Sequence, residues 1–359
     1  MKKIRDLENK NENTVNWRDL LRRSITTAEA LARHLSIDPI TVSEVANCYP
    51  FRINPYYLSL IHHPKDPIWR QAIPDAAEIE DTMGMPDPLA EEVLSPVPNL
   101  IHRYPDRVVL LVSNQCAMYC RFCMRKRRVG PSQSISLEET MEAAADYIRK
   151  EPRVREVILS GGDPFLLETG TVEKILITLR SIPHVEIIRI HSRTPCTLPQ
   201  RITPALTDML KKYQPLYVNT HFNHPLEITP IAAAACARLA DAGIPLGNQT
   251  VFLKGVNDSA EVMRELFQKL LQIRVRPYYL HHPDPVRGTG HFRPSVEKGI
   301  EIMAAIQGHT SGICLPHYMI DMPGGGGKVP LLPAYIRGRE AGKLIVRTYS
   351  GKTYEYPVA

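Results

Sequence analysis

The spacing of hydrophobic positions changes near residue 100. From Trp17 to about Ala90, apolar residues recur at helical intervals in short, interrupted stretches. TTAEALARHL (26–35) offers a threonine cap followed by helix formers. Asn54-Pro55 and the prolines beyond it are expected to break this region, and no long strand is expected in it. The first fifteen residues are polar and expected to be mobile.

From Val108 onward, short β-rich runs alternate with helical patterns. Strands are predicted at 108–114, 155–161, 185–192, 215–222, 245–253 and 275–282, with 313–321 a seventh candidate. Helical patterns lie between them, at 137–150, 171–182, 202–213, 230–243, 259–273 and 294–307. Such alternation implies parallel strands joined by right-handed crossovers. The number of units favours a barrel-like sheet, whole or incomplete, over a doubly wound one. In such a sheet chemistry gathers at the C-terminal strand ends. The tail, 344–357, reads as a β-hairpin around Ser350-Gly351. The expected organisation is α/β: an N-terminal helical region (1–95), a partial (β/α)6-type barrel (96–310) and a C-terminal segment with the hairpin (311–359).

Composition narrows the function classes. Of 359 residues, 43% are hydrophobic and 23% charged, as in an ordinary globular protein. The net charge of +6 suits a pocket for phosphate or carboxylate and is too small to imply nucleic acid. TTAEALARHLSIDPITVSEVA has a faint helix-turn-helix look, but that pattern arises easily and no nucleic-acid partner is expected. No apolar run reaches the length of a membrane span, and the start MKKIRDLENKNENT lacks the apolar stretch of a signal peptide. A cytoplasmic protein with no membrane partner is expected. The seven cysteines are an odd number, four of them scattered, which argues against a disulfide framework.

The other three cysteines are the strongest signal. Cys116, Cys120 and Cys123 form a CxxxCxxC run directly after the first barrel strand, with aromatic Phe122 before the last. Thiolates select iron–sulfur clusters or zinc, and both ordinarily take four protein ligands. Three local cysteines would leave one iron open to an outside ligand, a place that S-adenosylmethionine (SAM) fills through its amino and carboxylate groups. Inert buried thiols, or a zinc completed by a distant Cys or His, are the plainer alternatives. The pattern resembles the radical SAM superfamily and implies an oxygen-sensitive [4Fe–4S] cluster, with Phe122 beside the cofactor. Ser160-Gly161-Gly162-Asp163-Pro164, at a predicted strand end, looks like the superfamily's glycine-rich segment that holds the SAM amino group. Alone it would also pass for a common turn.

The second sharp feature is Pro323-Gly324-Gly325-Gly326-Gly327-Lys328. It is no P-loop, because Met322 and Val329 stand where that motif needs glycine and a hydroxyl residue. It reads either as a flexible loop with a solvated lysine or as a tight, water-poor loop. In the second case the lysine can lose its proton and form a Schiff base with pyridoxal 5′-phosphate (PLP).

Together these motifs resemble the lysine 2,3-aminomutase family of radical SAM, PLP-dependent enzymes. The likeness runs from about Leu100 to Tyr335 through HRYPDRVVLLV, CAMYCRFCMRKRRVG, LSGGDP, RIHSRTP, VNTHFNHP, GHFRPSVEKGIEI, GHTSG and DMPGGGGKVP. It implies an isomerase that moves an amine. A SAM-derived radical removes a β-hydrogen, the nitrogen migrates, and hydrogen returns at the α-carbon to give a β-amino acid. L-Lysine is the first expected substrate. Arginine or another cationic amino acid, or β-lysine formation for elongation-factor modification, is the alternative. Lys328 matches the PLP lysine. Arg103, Tyr104 and Arg107 match positions at the PLP site. Arg125 matches the holder of the substrate carboxylate, while Lys126, Arg127 and Arg128 read as a solvated basic run. Asp284 and Asp321 match the two carboxylates that recognise the side-chain ammonium. The likeness also implies an electron donor such as flavodoxin or ferredoxin and a homo-oligomer. The chain departs from the longer lysine mutases in one respect. No cysteine follows Cys314, so their C-terminal zinc site is expected to be absent.

Overall fold

The computed structural model describes residues 16–130 and 136–358; segment 1–15, expected to be mobile, lies outside them. Between Trp17 and Glu80 the chain forms short helices at Trp17–Arg22, Ala28–Ala32, Pro39–Cys48, Pro55–Ser59, Pro67–Ala72 and Ala77–Glu80. The Thr27 hydroxyl caps the second, accepting from Ala30 N–H at 3.3 Å, as the sequence predicts. The prolines act differently. Pro39, Pro55 and Pro67 open helices, and Asp38, Asn54 and Asp66 before them accept N–H bonds from the first turns. Asx-Pro starts a helix here because the ring presets φ where an N–H would have no helical partner. Leu31, Val42, Tyr57 and Ile68 of this region share one hydrophobic core with Leu110, Val157 and Ile188 of the sheet. The helix-turn-helix look therefore corresponds to core packing.

Nine strands follow in spatial order: β1 (Leu100–Tyr104), β2 (Arg107–Ser113), β3 (Glu156–Gly161), β4 (Ile187–His191), β5 (Leu216–Thr220), β6 (Leu246–Val251), β7 (Arg276–His281), β8 (His317–Met322) and β9 (Gly327–Pro330). β2 to β8 are parallel throughout. Helices at Leu137–Lys150, Thr169–Arg180, Pro204–Leu210, Pro230–Asp241, Ala260–Gln272 and Val296–Ile306 join them. Each presents an apolar stripe to the sheet. In Ala260–Gln272 the stripe is Met263, Leu266, Phe267 and Leu270, at helical spacing. This is the expected (β/α)6-type barrel, with the seventh candidate strand realised as β8.

β1 and β9 were not expected and add antiparallel edges. The Lys328 N–H of β9 donates to the Tyr104 hydroxyl of β1 at 2.9 Å, and Arg103 of β1 pairs with Asp321 of β8. Side chains thus bridge the two ends of the sheet. The expected C-terminal hairpin is present as β11 (Lys343–Arg347) and β12 (Thr353–Pro357), but β10 (Ile336–Glu340) pairs with β11 and makes a three-stranded sheet. The charged, glycine-containing IRGRE of β10 has none of the alternation that marks a strand.

Candidate active site

A cavity of about 870 Å³ runs through the barrel, lined from the starts of strands at Glu156, Ile187 and Arg276 to the C-terminal strand ends. Its wall includes Cys116, Cys120, Phe122, Cys123 and Arg125 from the loop after β2, and Ser160, Gly161, Gly162 and Asp163 from the end of β3. Arg103, Tyr104 and Arg107 of the β1–β2 hairpin, Asp284 after β7, Asp321 at the end of β8 and Lys328 of β9 complete it. Residues that lie far apart in sequence therefore face one space.

The helical region clamps the cysteine loop. Tyr119 N–H donates to the Arg52 carbonyl at 3.0 Å, and Arg121 N–H to the Gln71 side of the same region, at the Gln71 carbonyl, also at 3.0 Å. The Asn54 amide reaches the Ala117 carbonyl at 3.1 Å. Arg121 is 1% exposed and pairs with fully buried Glu78 at 2.5 Å. Burial pushes the Cys116 thiol well above its ordinary value and that of Cys123 up to about 11. Iron binding would therefore have to displace protons. Among the described residues, no three His, Cys, Asp or Glu side chains close around the position of one ion. A single zinc needs such closure, with Zn–S near about 2.3 Å. Cys116, Cys120 and Cys123 line one cavity, where their thiolates would hold a cluster of several irons.

The glycine segment has a packing reason beyond backbone exposure. Gly162 N–H donates to the Ser113 carbonyl at 2.5 Å, and Asp163 N–H to the Gln115 carbonyl at 2.7 Å. A Cβ on Gly162 would meet the Gln115 carbonyl oxygen at 2.4 Å. These glycines bring the end of β3 against the start of the cysteine loop. Gly162→Ala is expected to cost about 1–3 kcal/mol through overpacking and to lower iron loading; thermal melting and iron analysis check this. The Asp163 carboxylate accepts from Ser192 Oγ at 2.6 Å and from the N–H groups of Arg193 and Thr194 at 2.8 and 2.9 Å. It ties the ends of β3 and β4 together.

The glycine run before Lys328 forms a tight turn, with Gly324, Gly325 and Gly327 at positive φ. It returns the chain so that Lys328 lies directly opposite Asp321 in the antiparallel β8–β9 pair. Lys328 Nζ bonds one Asp321 oxygen and Arg103 bonds the other. Arg103 Nε is buried and has no hydrogen-bond partner among the described residues. Arg107 lies over the Tyr104 ring at 3.9 Å. Two guanidinium groups beside the lysine, one with a spare donor, fit the phosphate and ring of PLP.

Arg125 is engaged by a residue that sequence reading did not single out. Buried Glu91 accepts from its Nε at 3.0 Å and its Nη2 at 2.7 Å, while Nη1 bonds Ser160 Oγ at 3.2 Å. The basic run after it is not solvated, contrary to expectation. Lys126 is 8% exposed and bonds Glu78 at 2.5 Å and the Gly288 carbonyl at 2.8 Å. Arg127 pairs with Asp87 at 2.9 Å. Acids from the helical region, remote in sequence, absorb these charges. Asp284 has its carboxyl pushed up to about 7, first by burial and then by Asp321, against the pull of Lys328 and Arg103. His191, His221 and His281 also line the cavity. Burial drives His191 and His281 well below the ordinary imidazole value and His221 down to about 4, so all three are neutral. RIHSRTP, with His191, and VNTHFNHP, with His221, carried the family likeness without marking these histidines as site residues, and His281 stood unmarked at the end of a predicted strand.

No helix among the described residues is long and apolar enough to cross a membrane. Residues 110–267 match the radical SAM superfamily model, and 303–358 match the lysine-2,3-aminomutase C-terminal model. The chain is 51% identical to the L-lysine 2,3-aminomutase of Clostridium subterminale, over 95% of this chain and 84% of that one. It is 48% identical to the L-lysine 2,3-aminomutase of Acetoanaerobium sticklandii, with the same coverage of each. It is also 44% identical to the glutamate 2,3-aminomutase of Clostridioides difficile, over 94% of this chain and 81% of that one. With likeness of this extent along nearly its whole length, the chain belongs to the lysine 2,3-aminomutase family, isomerases of the radical SAM superfamily that work with a [4Fe–4S] cluster, SAM and PLP.

Proposed function

We propose that this protein converts L-lysine to β-lysine. The observation that carries the reading is the pair Asp284 and Asp321 beside Lys328, lining the same cavity as Arg125. Cys116, Cys120 and Cys123 hold the cluster; Phe122, Ser160, Gly161, Gly162 and Asp163 shape the SAM side. Lys328, Arg103, Tyr104 and Arg107 hold PLP. When bound, the cofactors supply the radical and the conjugated system across which nitrogen moves. The protein binds, orients and excludes water. Arg125 offers a planar fork to the substrate carboxylate, and Glu91 fixes the direction of that fork.

Asp321 already holds an alkylammonium, that of Lys328. Asp321 and Asp284 are two carboxylates that share Arg103 and Lys328 as their cations, and with Lys328 assigned to PLP they would favour a further cation beside them. The side-chain ammonium of a bound lysine would supply that cation while Arg125 holds its carboxylate. The reductant is a low-potential flavodoxin or ferredoxin, and the working form is a homo-oligomer.

Charge-assisted bonds contribute roughly 1.5–3 kcal/mol each. Asp284→Asn and Asp321→Asn are each expected to lower kcat/KM for lysine by about one to two decades, with cluster and PLP loading kept. Asp284 adds a pH signature. Its neutral form below about pH 7 attracts an ammonium less, so KM for lysine rises as pH falls through that value. Bound ammonium stabilises the carboxylate, so the limb in kcat lies at lower pH than the limb in kcat/KM, and Asp284→Asn removes both. An anaerobic assay with SAM, PLP, dithionite and a panel of lysine, arginine, glutamate and neutral amino acids decides the substrate. Preference for glutamate or a neutral amino acid, or normal lysine turnover by both variants, would sink the proposal.

A further inference from the structure

Arg193, the first residue after the loop residue Ser192 at the end of β4, has no role in the chemistry described so far. It is buried, and its Nη1 lies 2.8 Å from Cys120 Sγ. The rest of its guanidinium is fixed on every side. Nη2 donates to Glu227 Oε1 at 2.7 Å and to Gln71 Oε1 at 2.6 Å, and Nε donates to the His221 carbonyl at 3.1 Å. Its carbon lies 5.2 Å from the centre of the Phe122 ring. Glu227 is itself fully buried and held by Tyr57 Oη at 2.6 Å and by the Asn223 N–H at 2.6 Å. The guanidinium therefore cannot swing away from the sulfur without leaving a buried carboxylate unpaired, which is strongly disfavoured.

We infer that Arg193 is a positioning residue that donates an N–H bond to the Cys120 sulfur and thereby sets the reduction potential of the cluster, with Glu227 fixing its orientation and damping its charge. This rests on Cys120 being a cluster ligand. A hydrogen bond and a positive charge at a ligating sulfur both stabilise the added electron, because reduction makes the cluster more negative. The step is a one-electron gain by the oxidised cluster from a low-potential flavin or iron–sulfur protein, or from dithionite in the test. No atom or proton moves. A bond held in place by the fold makes this reduction easier before SAM is cleaved.

The network also has a sign. Removing the guanidinium lowers the potential. Removing the Glu227 charge leaves the guanidinium less compensated and raises it. A role confined to packing predicts neither direction. The experiment uses the full chain, anaerobically reconstituted without SAM, with iron analysis and an electron paramagnetic resonance redox titration of the reduced-cluster signal. R193Q is expected to lower the midpoint enough to cut the reduced-to-oxidised ratio at a fixed donor potential by tenfold or more, about 59 mV for one electron. R193K, which keeps the charge without the fork, falls between R193Q and the wild type, and E227Q moves the other way. If R193Q loads iron poorly, E227Q still gives the sign. Wild-type midpoints in loaded R193Q and E227Q overturn the inference and leave the cysteine reading intact. Full, SAM-responsive loading of C120A overturns both.

Discussion

Alanine at Cys116, Cys120 or Cys123 is expected to abolish SAM cleavage and to reduce iron from about four per chain, the content of one [4Fe–4S] cluster, to background. The effect should be all-or-none because, among the described residues, no other cysteine lines the cavity. Cys196, Cys236 and Cys314 are buried and Cys48 is exposed; none lines the cavity, although Cys196 lies behind it against Glu227. Nor can the loop easily shift to recruit one, since Asn54, Arg52, Gln71 and Arg121 pin it at several points. Cys236→Ser, in the helix Pro230–Asp241, is the control that should load normally. The measurement is iron content together with the effect of SAM on the resonance signal of the reduced cluster. A protein that instead held zinc, or a cluster indifferent to SAM, would refute the assignment.

The cysteine triplet and the lysine after the glycine run are legible in the sequence because each is a local feature. Three cysteines in eight residues and four glycines before a lysine keep their meaning wherever the loop is placed. The parallel strands were legible for a similar reason, since each buried strand carries an apolar run bounded by a helical period. What supports these residues was not. Glu91 reaches Arg125, Glu78 reaches Arg121 and Lys126, and Glu227 reaches Arg193 across long stretches of chain, and no spacing encodes such a pair. The basic run 126–128 reads as solvated in the sequence because its acids come from the helical region. β1 and β9 were missed for want of apolar alternation: LIHRY is half charged or polar, and GKVP is four residues long. Yet these two strands carry Arg103, Tyr104 and Lys328. The strands that close the site are poor in hydrophobic pattern because one of their faces serves the cavity rather than the core.

Lys328→Ala is expected to lose the covalent link to PLP and nearly all turnover while keeping the full complement of iron. Borohydride treatment of the wild type should fix the cofactor to a peptide containing Lys328. The geometry explains why this lysine and no other. The glycine turn sets the β8–β9 register so that Lys328 faces Asp321, and the Tyr104 hydroxyl holds its backbone N–H. Lys126 is buried, unlike the partly exposed Lys328, but it spends its ammonium on Glu78 and two carbonyl oxygens and does not line the cavity. Lys328 would hold PLP and move protons beside it, and losing a group that moves protons costs roughly 10²–10⁴-fold. Iron should be unaffected because the cysteine loop is anchored to the helical region and the end of β3, not to β9. Lys328→Arg separates charge from chemistry: it can keep the pair with Asp321 and the strand register but cannot link to PLP. If Lys328→Arg retained turnover, or if borohydride labelled another lysine, the assignment of Lys328 would fall.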